Sequence, residues 1–105
     1  MSLNAYKIST HEMCLNRNWD KTPIHTVWLL LTEEIGELAA AIRQQSKGLR
    51  KPSRHRRQDG VEMEMGDVFS YLFQLAHMLN VDLDEMWRLH QAKLTKRNYI
   101  NIKHK

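Results

Sequence analysis

The chain has 105 residues, a formal net charge of +4 and a single cysteine, Cys14. A chain of this length forms one domain with a modest core, so we take residues 1–105 as a single domain that self-association would help to stabilise. One cysteine excludes an internal disulfide framework and indicates a reducing compartment. No segment approaches the roughly 20 apolar residues of a membrane-spanning helix, and the first residues lack the apolar run of a signal peptide. These features predict a cytoplasmic protein that does not contact membranes.

The positive charge is concentrated in one segment between residues 47 and 57, which contains no acid. Without its six basic residues the net charge would be −2. They are Lys47, Arg50, Lys51, Arg54, Arg56 and Arg57. Gly48 and Pro52 in the same stretch break helices, which predicts a linker over residues 47–60. A charge run of this kind is usually a solvated loop; the alternatives are a phosphate-attracting flap over a neighbouring site and a nucleic-acid-binding patch.

Helical periodicity predicts four helices and no strand. The predicted ranges are 4–18, 22–45, 60–79 and 82–98. Thr22 and Pro23 suit the cap and the first position of the second helix. Asn80 can end the third helix, and Asp82 with Glu85 has the spacing of a capping box at the start of the fourth. The predicted fold class is an all-α helical bundle of about four helices.

The apolar stripes of the four helices predict which faces are buried. In chain order the stripes are Leu3, Ile8, Met13 and Leu15; Ile24, Val27, Leu31, Ile35, Leu38 and Ile42; Tyr71, Leu75 and Met78; and Leu83, Met86, His90 and Leu94. Phe69 and Phe73 lie on another side of the third helix, so one small chain has too few helices to bury both sides. We expect a homo-oligomer, a dimer or a dimer of dimers, to cover them. The alternative is that the first helix of the same chain does so.

Two acidic motifs interrupt these apolar faces. The second helix contains Glu34-x-x-Glu37, and the third contains Glu64-x-x-Asp67. Acids three residues apart on a helix lie roughly 5–6 Å apart on one face, so each motif offers a pair of carboxylates. Burying unpaired carboxylates is costly, and the four acids therefore predict a compensating ligand. Carboxylate oxygens suit the hard cations Mg²⁺, Mn²⁺ and Ca²⁺.

The order of these motifs, ExxE followed by ExxD on the next helix, resembles the MazG-like superfamily of all-α nucleoside triphosphate pyrophosphohydrolases. Residues 17–20 (RNWD), 29–38 (LLLTEEIGEL) and 67–72 (DVFSYL) are also similar to that family, and the resemblance covers about residues 17–98. It implies an enzyme that cleaves the α–β phosphoanhydride of a nucleoside triphosphate to a monophosphate and pyrophosphate. It also implies Mg²⁺ as the cofactor, with Mn²⁺ as a substitute, and a house-cleaning role in the nucleotide pool.

The resemblance implies catalytic and metal-binding roles for the acids. The implied metal ligands are Glu34, Glu37, Glu64 and Asp67, and these count as catalytic together with Glu33. Glu33 is the extra acid of an EExxE form, which could accept the proton of the attacking water or bind metal through water. The alternative is that Glu33 is a solvated surface acid.

The resemblance also implies substrate-binding residues. Lys93, Arg97 and Asn98 in the last helix would contact the phosphates, although Lys93 also suits a solvated helix end. Candidates for contact with the base are Trp19, His25, Trp28 and Tyr71. Trp28 lies close to the apolar stripe of its helix and could instead be core, and His25 could be a surface residue.

Three other functions were compared with this one. A ferritin-like di-iron bundle requires Glu-x-x-His pairs, which the sequence lacks. A nucleic-acid-binding module would use the basic linker, but an acidic site without a basic helix rich in stacking residues argues against it. A noncatalytic metal- or nucleotide-binding interaction protein stays open, because the motifs indicate ligands and not turnover.

Overall fold

The computed structural model describes residues 2–45 and 60–103, without the side chains of residues 97–103. It has four helices: α1 (Leu3–Asn16), α2 (Ile24–Gln45), α3 (Val61–Met78) and α4 (Leu83–Lys103). No strand occurs within the described ranges, so the all-α prediction is confirmed. The predicted linker falls outside those ranges apart from Gly60, which caps α3. None of the helices in the described part of the chain is long and apolar enough to cross a bilayer.

Asn80 ends α3, as the sequence predicts. Its φ of 59° is the left-handed conformation that asparagine tolerates better than most residues. The Val81 N–H donates to the Ala76 carbonyl at 2.9 Å, which is the long hydrogen bond of a Schellman motif. Asn18 follows α1 with the same φ. Turns with an asparagine in the same left-handed conformation therefore end both α1 and α3, which pack against each other.

Asp82 caps α4. Its Oδ1 accepts a hydrogen bond from the Glu85 N–H at 3.0 Å, so the predicted cap is confirmed. The Glu85 carboxylate bonds to Arg88 rather than returning to the cap backbone, and the box is half formed. Hydrogen bonds from the Asn4 amide and from the Glu85 N–H hold the pKa of Asp82 below its usual value. The α4 helix continues beyond the predicted Asn98 to Lys103.

Helix α1 packs antiparallel to α3. At its start, Asn4 donates to Asp82 Oδ1 at 2.9 Å and accepts from the Leu83 N–H at 2.8 Å. Farther along α1, the ring of His11 stacks on that of His77 with centroids 3.6 Å apart. From Asn4 to His11 the partner moves back from Leu83 to His77, as expected for antiparallel helices. This polar and aromatic contact fixes a helix whose own apolar pattern is weak.

The core lies between α2 and α3. Val27, Leu31 and Leu75 form its buried cluster, as predicted. The predicted α2 face was wrong for Ile35 and Ile42, since Ile35 is 50% exposed and Ile42 is similarly open. The buried Val27 and Ala41 lie on one line of α2 with Glu34, and Ile35 and Ile42 each follow that line by one residue, about 100° further round the axis. Ile35 and Ile42 accordingly fall on a line beside the one that α3 covers.

The predicted inner faces of α1 and α4 also required correction. Ile8 and Leu15 of α1 are exposed, and the buried residue of that helix is Cys14, consistent with a small apolar filler. Met86 and His90 of α4 are exposed rather than internal. Helix α4 packs mainly on α1 and not on α2, so much of its predicted stripe has no neighbour within the described chain.

Helix α1 covers one of the two phenylalanines on the far side of α3. Phe73 is partly buried and stacks on Tyr6, with ring centroids 6.1 Å apart. Phe69 stacks on Phe73 at the same distance but is itself 49% exposed. The same-chain alternative therefore accounts for Phe73, whereas Phe69 remains accessible to a partner.

Candidate metal and nucleotide site

Three carboxylates from two helices meet at the edge of the core. Glu34 on α2 and Glu64 and Asp67 on α3 each offer one oxygen, and these oxygens lie within 4.8 Å of one another. Glu64 is only 3% exposed. Oxygens on opposite sides of a hard divalent cation are about 4–5 Å apart, twice the metal–oxygen distance. The donor set and its size therefore fit a single hard cation.

Core packing brings these acids together. Glu34 follows the buried Leu31 by three residues on α2, so the two side chains point to the same side of the helix. On α3, Val68 and Tyr71 pack against the core cluster and lie next to Asp67 and one turn from it. Burying the apolar residues of the two helices thus places the acids opposite each other.

Negative charge is concentrated at this position. Carboxylates at such a separation repel each other by on the order of a few kcal/mol per pair in a protein environment. The pKa of the neighbouring Tyr71 hydroxyl is raised by burial first, and then by the charges of Glu34, Asp67 and Glu33. Tyr71 therefore stays protonated at neutral pH and can donate a hydrogen bond.

A cavity of about 270 Å³ adjoins the acids and lies between α1 and α3. Its lining residues are Thr10, Met13, Arg17, Trp19, Glu34, Asp67, Ser70, Tyr71 and Gln74. The α1 residues and the α3 residues each follow the spacing of three or four that places side chains on one face of a helix. The cavity is acidic where α2 meets α3, and it has the positive charge of Arg17 at the end of α1. Its other walls, along α1 and the later turns of α3, are uncharged polar and apolar.

Residues 22–99 match the family described as the MazG nucleotide pyrophosphohydrolase domain, a range that contains both acidic motifs. The chain belongs to the MazG family. It is also similar to the uncharacterized protein YvdC of Bacillus subtilis (strain 168), with 42% identity over 72 residues that cover 64% of this chain and 68% of that protein. The resemblance seen in the acidic motifs is confirmed, and family membership points to a nucleotide pyrophosphohydrolase.

Two of the four residues predicted to contact the base line the cavity. Trp19 and Tyr71 do so, while His25 and Trp28 do not. Trp28 is 58% exposed, so the alternative that it is core was wrong. The turn after α1 positions Trp19, whose backbone N–H donates to the Cys14 carbonyl at 2.8 Å.

The other predicted site residues lie around this centre. Glu33 is exposed on α2, close enough for its charge to act on Tyr71. Glu37 is partly buried one turn after Glu34 and is not among the three acids that converge. Lys93 is exposed on α4 and does not line the cavity. The side chains of Arg97 and Asn98 fall outside the described residues.

Helix α1 and its C-cap contribute cavity-lining residues that the sequence did not predict. Thr10, Met13 and Arg17 line the cavity, and the Arg17 guanidinium lies over the Trp19 ring at 5.1 Å from its centroid. These α1 residues precede the MazG match. Their spacing of three and four residues was a signal, but it was hidden because the apolar pattern of α1 indicates no clear inner face.

Proposed function

We propose that this chain is a Mg²⁺-dependent nucleoside triphosphate pyrophosphohydrolase, which cleaves the α–β phosphoanhydride to give a nucleoside monophosphate and pyrophosphate. The observation that carries the proposal is the convergence of Glu34, Glu64 and Asp67 beside a cavity within a MazG domain. Membership of a nucleotide pyrophosphohydrolase family supports the reaction class. The three hard oxygen donors support the choice of cation.

The acids would bind the cation, and the neighbouring side chains would orient the substrate. Glu34, Glu64 and Asp67 would hold the metal, with Glu37 as a fourth ligand. A divalent cation bound there would supply positive charge against the phosphates and make a nearby water more acidic. The protonated Tyr71 hydroxyl would donate to an oxygen of the substrate, and Glu33 would accept the proton of the attacking water.

The remaining contacts follow from position and chemistry. Trp19 has a ring that can pack against the nucleoside at the cavity wall, and the nearby Arg17 adds positive charge. Lys93, Arg97 and Asn98 would contact the phosphates from α4, which requires either movement of α4 or a second copy of the chain, because Lys93 does not line the cavity of its own chain. This supports the proposal of a homo-oligomer, a dimer or a dimer of dimers. The proposed role is the removal of unwanted nucleotides in the cytoplasm.

Pyrophosphate release from a panel of ribo- and deoxyribonucleoside triphosphates, measured with and without Mg²⁺, tests the function. We expect release that chelation of the metal abolishes. Glu64→Gln and Asp67→Asn should each lower kcat/KM by more than the roughly 10- to 100-fold loss seen when groups that merely support a metal ligand are removed. Glu62→Gln is the matched control, because Glu62 is an exposed acid in the first turn of the same helix.

Other outcomes would favour the alternatives. A protein that binds Mg²⁺ and nucleotide but releases no pyrophosphate from any member of the panel would be a noncatalytic binding protein. Salt-sensitive binding of DNA or RNA that is lost on neutralising Arg54, Arg56 and Arg57, without hydrolysis, would instead indicate a nucleic-acid-binding module. Equal activity of Glu62→Gln and Glu64→Gln would contradict the assignment of the acids.

A further inference from the structure

We infer that the end of the cavity away from the acids selects cytosine and adenine nucleotides by the exocyclic amino group of the base, and that the Thr10 hydroxyl makes this selection. The inference rests on the proposed function, because it takes the acids as the position of the phosphates. Thr10 precedes residues 22–99, so the match to the family assigns it no role. Its place in the lining of the cavity and its own hydrogen bond indicate the role instead.

The α3 wall of the cavity gives the direction in which a substrate would lie. Asp67, Tyr71 and Gln74 line the cavity at successive turns of the helix. At 1.5 Å per residue, Gln74 is about 10 Å along the helix from Asp67. A nucleotide with its phosphates at the acids therefore extends its sugar past Tyr71 and its base towards Gln74.

The size of the cavity fits the nucleoside part of the substrate. Its volume of about 270 Å³ is near the lower end of the ~300–1,000 Å³ typical of small-molecule pockets. The phosphates then lie against the acids and the base lies between the facing walls. Met13 and Thr10 line the cavity from α1, and Gln74 lines it from α3.

The Thr10 hydroxyl keeps its helix hydrogen bond when it accepts from a ligand, and it loses that bond when it donates to one. Its single hydrogen is donated to the Tyr6 carbonyl one turn earlier in α1, at 2.9 Å. A hydroxyl whose hydrogen is used in this way has its lone pairs left to accept a hydrogen bond. The amino groups of cytosine and adenine donate to such an atom. The carbonyl oxygens of uracil, thymine and hypoxanthine meet it as a second acceptor, with no hydrogen between them.

Gln74 adds affinity without making this distinction. Its amide carries both donors and an acceptor, and it can rotate to match the donor–acceptor edge of either class of base. Met13 is apolar and polarizable, and it can pack against the face of any base. Of these three residues, Thr10 is the one whose donor hydrogen is already used in a hydrogen bond within the protein, to the Tyr6 carbonyl.

The test compares substrates that differ only in an amino or a carbonyl group. Measured as kcat/KM for pyrophosphate release, CTP should exceed UTP and ATP should exceed ITP, each by about tenfold or more. Thr10→Val, which keeps the shape but removes the acceptor, should bring both ratios close to one. Thr10→Ser keeps the hydroxyl and should preserve them.

Thr95→Val is the matched control. Thr95 is exposed on α4, away from the cavity, and its hydroxyl donates to the Gln91 carbonyl at the same 2.9 Å. Thr95→Val therefore loses the same hydroxyl group and the same kind of hydrogen bond within a helix as Thr10→Val. Its substrate ratios should remain those of the unsubstituted protein.

Binding of the monophosphates separates this inference from the proposed function. The dissociation constants of CMP against UMP, and of AMP against IMP, measured by calorimetry, report base selection without requiring hydrolysis. Absence of hydrolysis with tighter binding of CMP and AMP would refute the proposed function and retain the selection by Thr10. Equal binding within both pairs, or a preference that Thr10→Val leaves unchanged, would overturn the inference.

Discussion

The stacked imidazoles of His11 and His77 join α1 to α3 at a contact that depends on protonation. Burial lowers the pKa of His77 below its usual value of 6.5, and the positive charges of His11 and Lys7 lower it further. A histidine with a lowered pKa binds its proton more tightly in the unfolded chain than in the folded one. The contribution of His77 to stability is therefore complete above about pH 6.5 and decreases as the pH falls towards the folded-state value.

We accordingly expect the free energy of unfolding, measured with urea, to be lower near pH 5.5 than near pH 7.5, in part because of His77. His77→Phe retains a ring for stacking and cannot be protonated, so it should reduce the difference between the two pH values. His25→Phe is the control, because His25 is exposed at the start of α2. The same pH difference in His77→Phe as in the unsubstituted protein would show that this pair is not a sensor of pH.

At the scale of single residues, the sequence predicted the acids of the candidate site but did not predict that Thr10 lines the cavity. Glu34, Glu64 and Asp67 interrupt apolar stripes, and a carboxylate in such a place is itself the signal. Thr10 lies in a helix with little amphipathic character, so its neighbours depend on how α1 docks. That docking is made by contacts such as His11 with His77, between residues that are far apart in the sequence.

At the scale of elements, the packing of α2 on α3 both forms the core and positions the acids. The sequence predicted the core position of Val27 and Leu31 correctly because they are four residues apart and face α3. The sequence could not show whether α3 covers the line of Val27 and Leu31 or the neighbouring line of Ile35 and Ile42, since both lines are apolar. Contact with α3 determines which of the two lines is buried, and the periodicity of α2 alone does not reveal this.

Leu31→Ala measures the strength of this packing. Leu31 is 2% exposed, and we expect its truncation to lower the free energy of unfolding by about 2–5 kcal/mol. Leu29→Ala removes the same atoms from a side chain that is 63% exposed, and it should change the free energy by no more than about 0.5 kcal/mol. Urea denaturation of the two variants gives both values.

A further consequence concerns metal binding. Because Leu31 lies one turn before Glu34, its truncation should also weaken the Mg²⁺ affinity of the folded protein, measured by calorimetry under conditions where the variant remains folded. Similar stabilities for Leu31→Ala and Leu29→Ala would contradict the assignment of Leu31 to the core.

At the scale of the whole molecule, one chain leaves an apolar surface on α3. Met65, Phe69 and Leu72 are exposed at the spacing of four and three residues that defines one face of a helix. Apolar stripes of this kind commonly mark contact between proteins. The face is the part of α3 that α1 does not cover, and it supports the proposal of self-association.

Phe69→Glu tests that proposal, because a charge at the centre of an apolar contact disfavours association. Light scattering coupled to size-exclusion chromatography should give a multiple of the 12.5 kDa chain mass for the unsubstituted protein and a mass close to 12.5 kDa for the variant. Ile8→Glu places the same charge at an exposed position of α1 and should leave the assembly intact. A monomeric unsubstituted protein would refute self-association. An unchanged mass for Phe69→Glu would show that association uses another surface.

The antiparallel docking of α1 separates two tasks along the chain. The converging acids belong to residues 34–67, whereas Thr10, Met13 and Arg17 come from the first seventeen residues and reach the same cavity through tertiary contacts. If the proposed function holds, mutations in this leading stretch will alter which nucleotide is accepted and leave the proposed metal ligands untouched. Natural variation or deliberate design could therefore exchange one preference for another on a constant reaction centre.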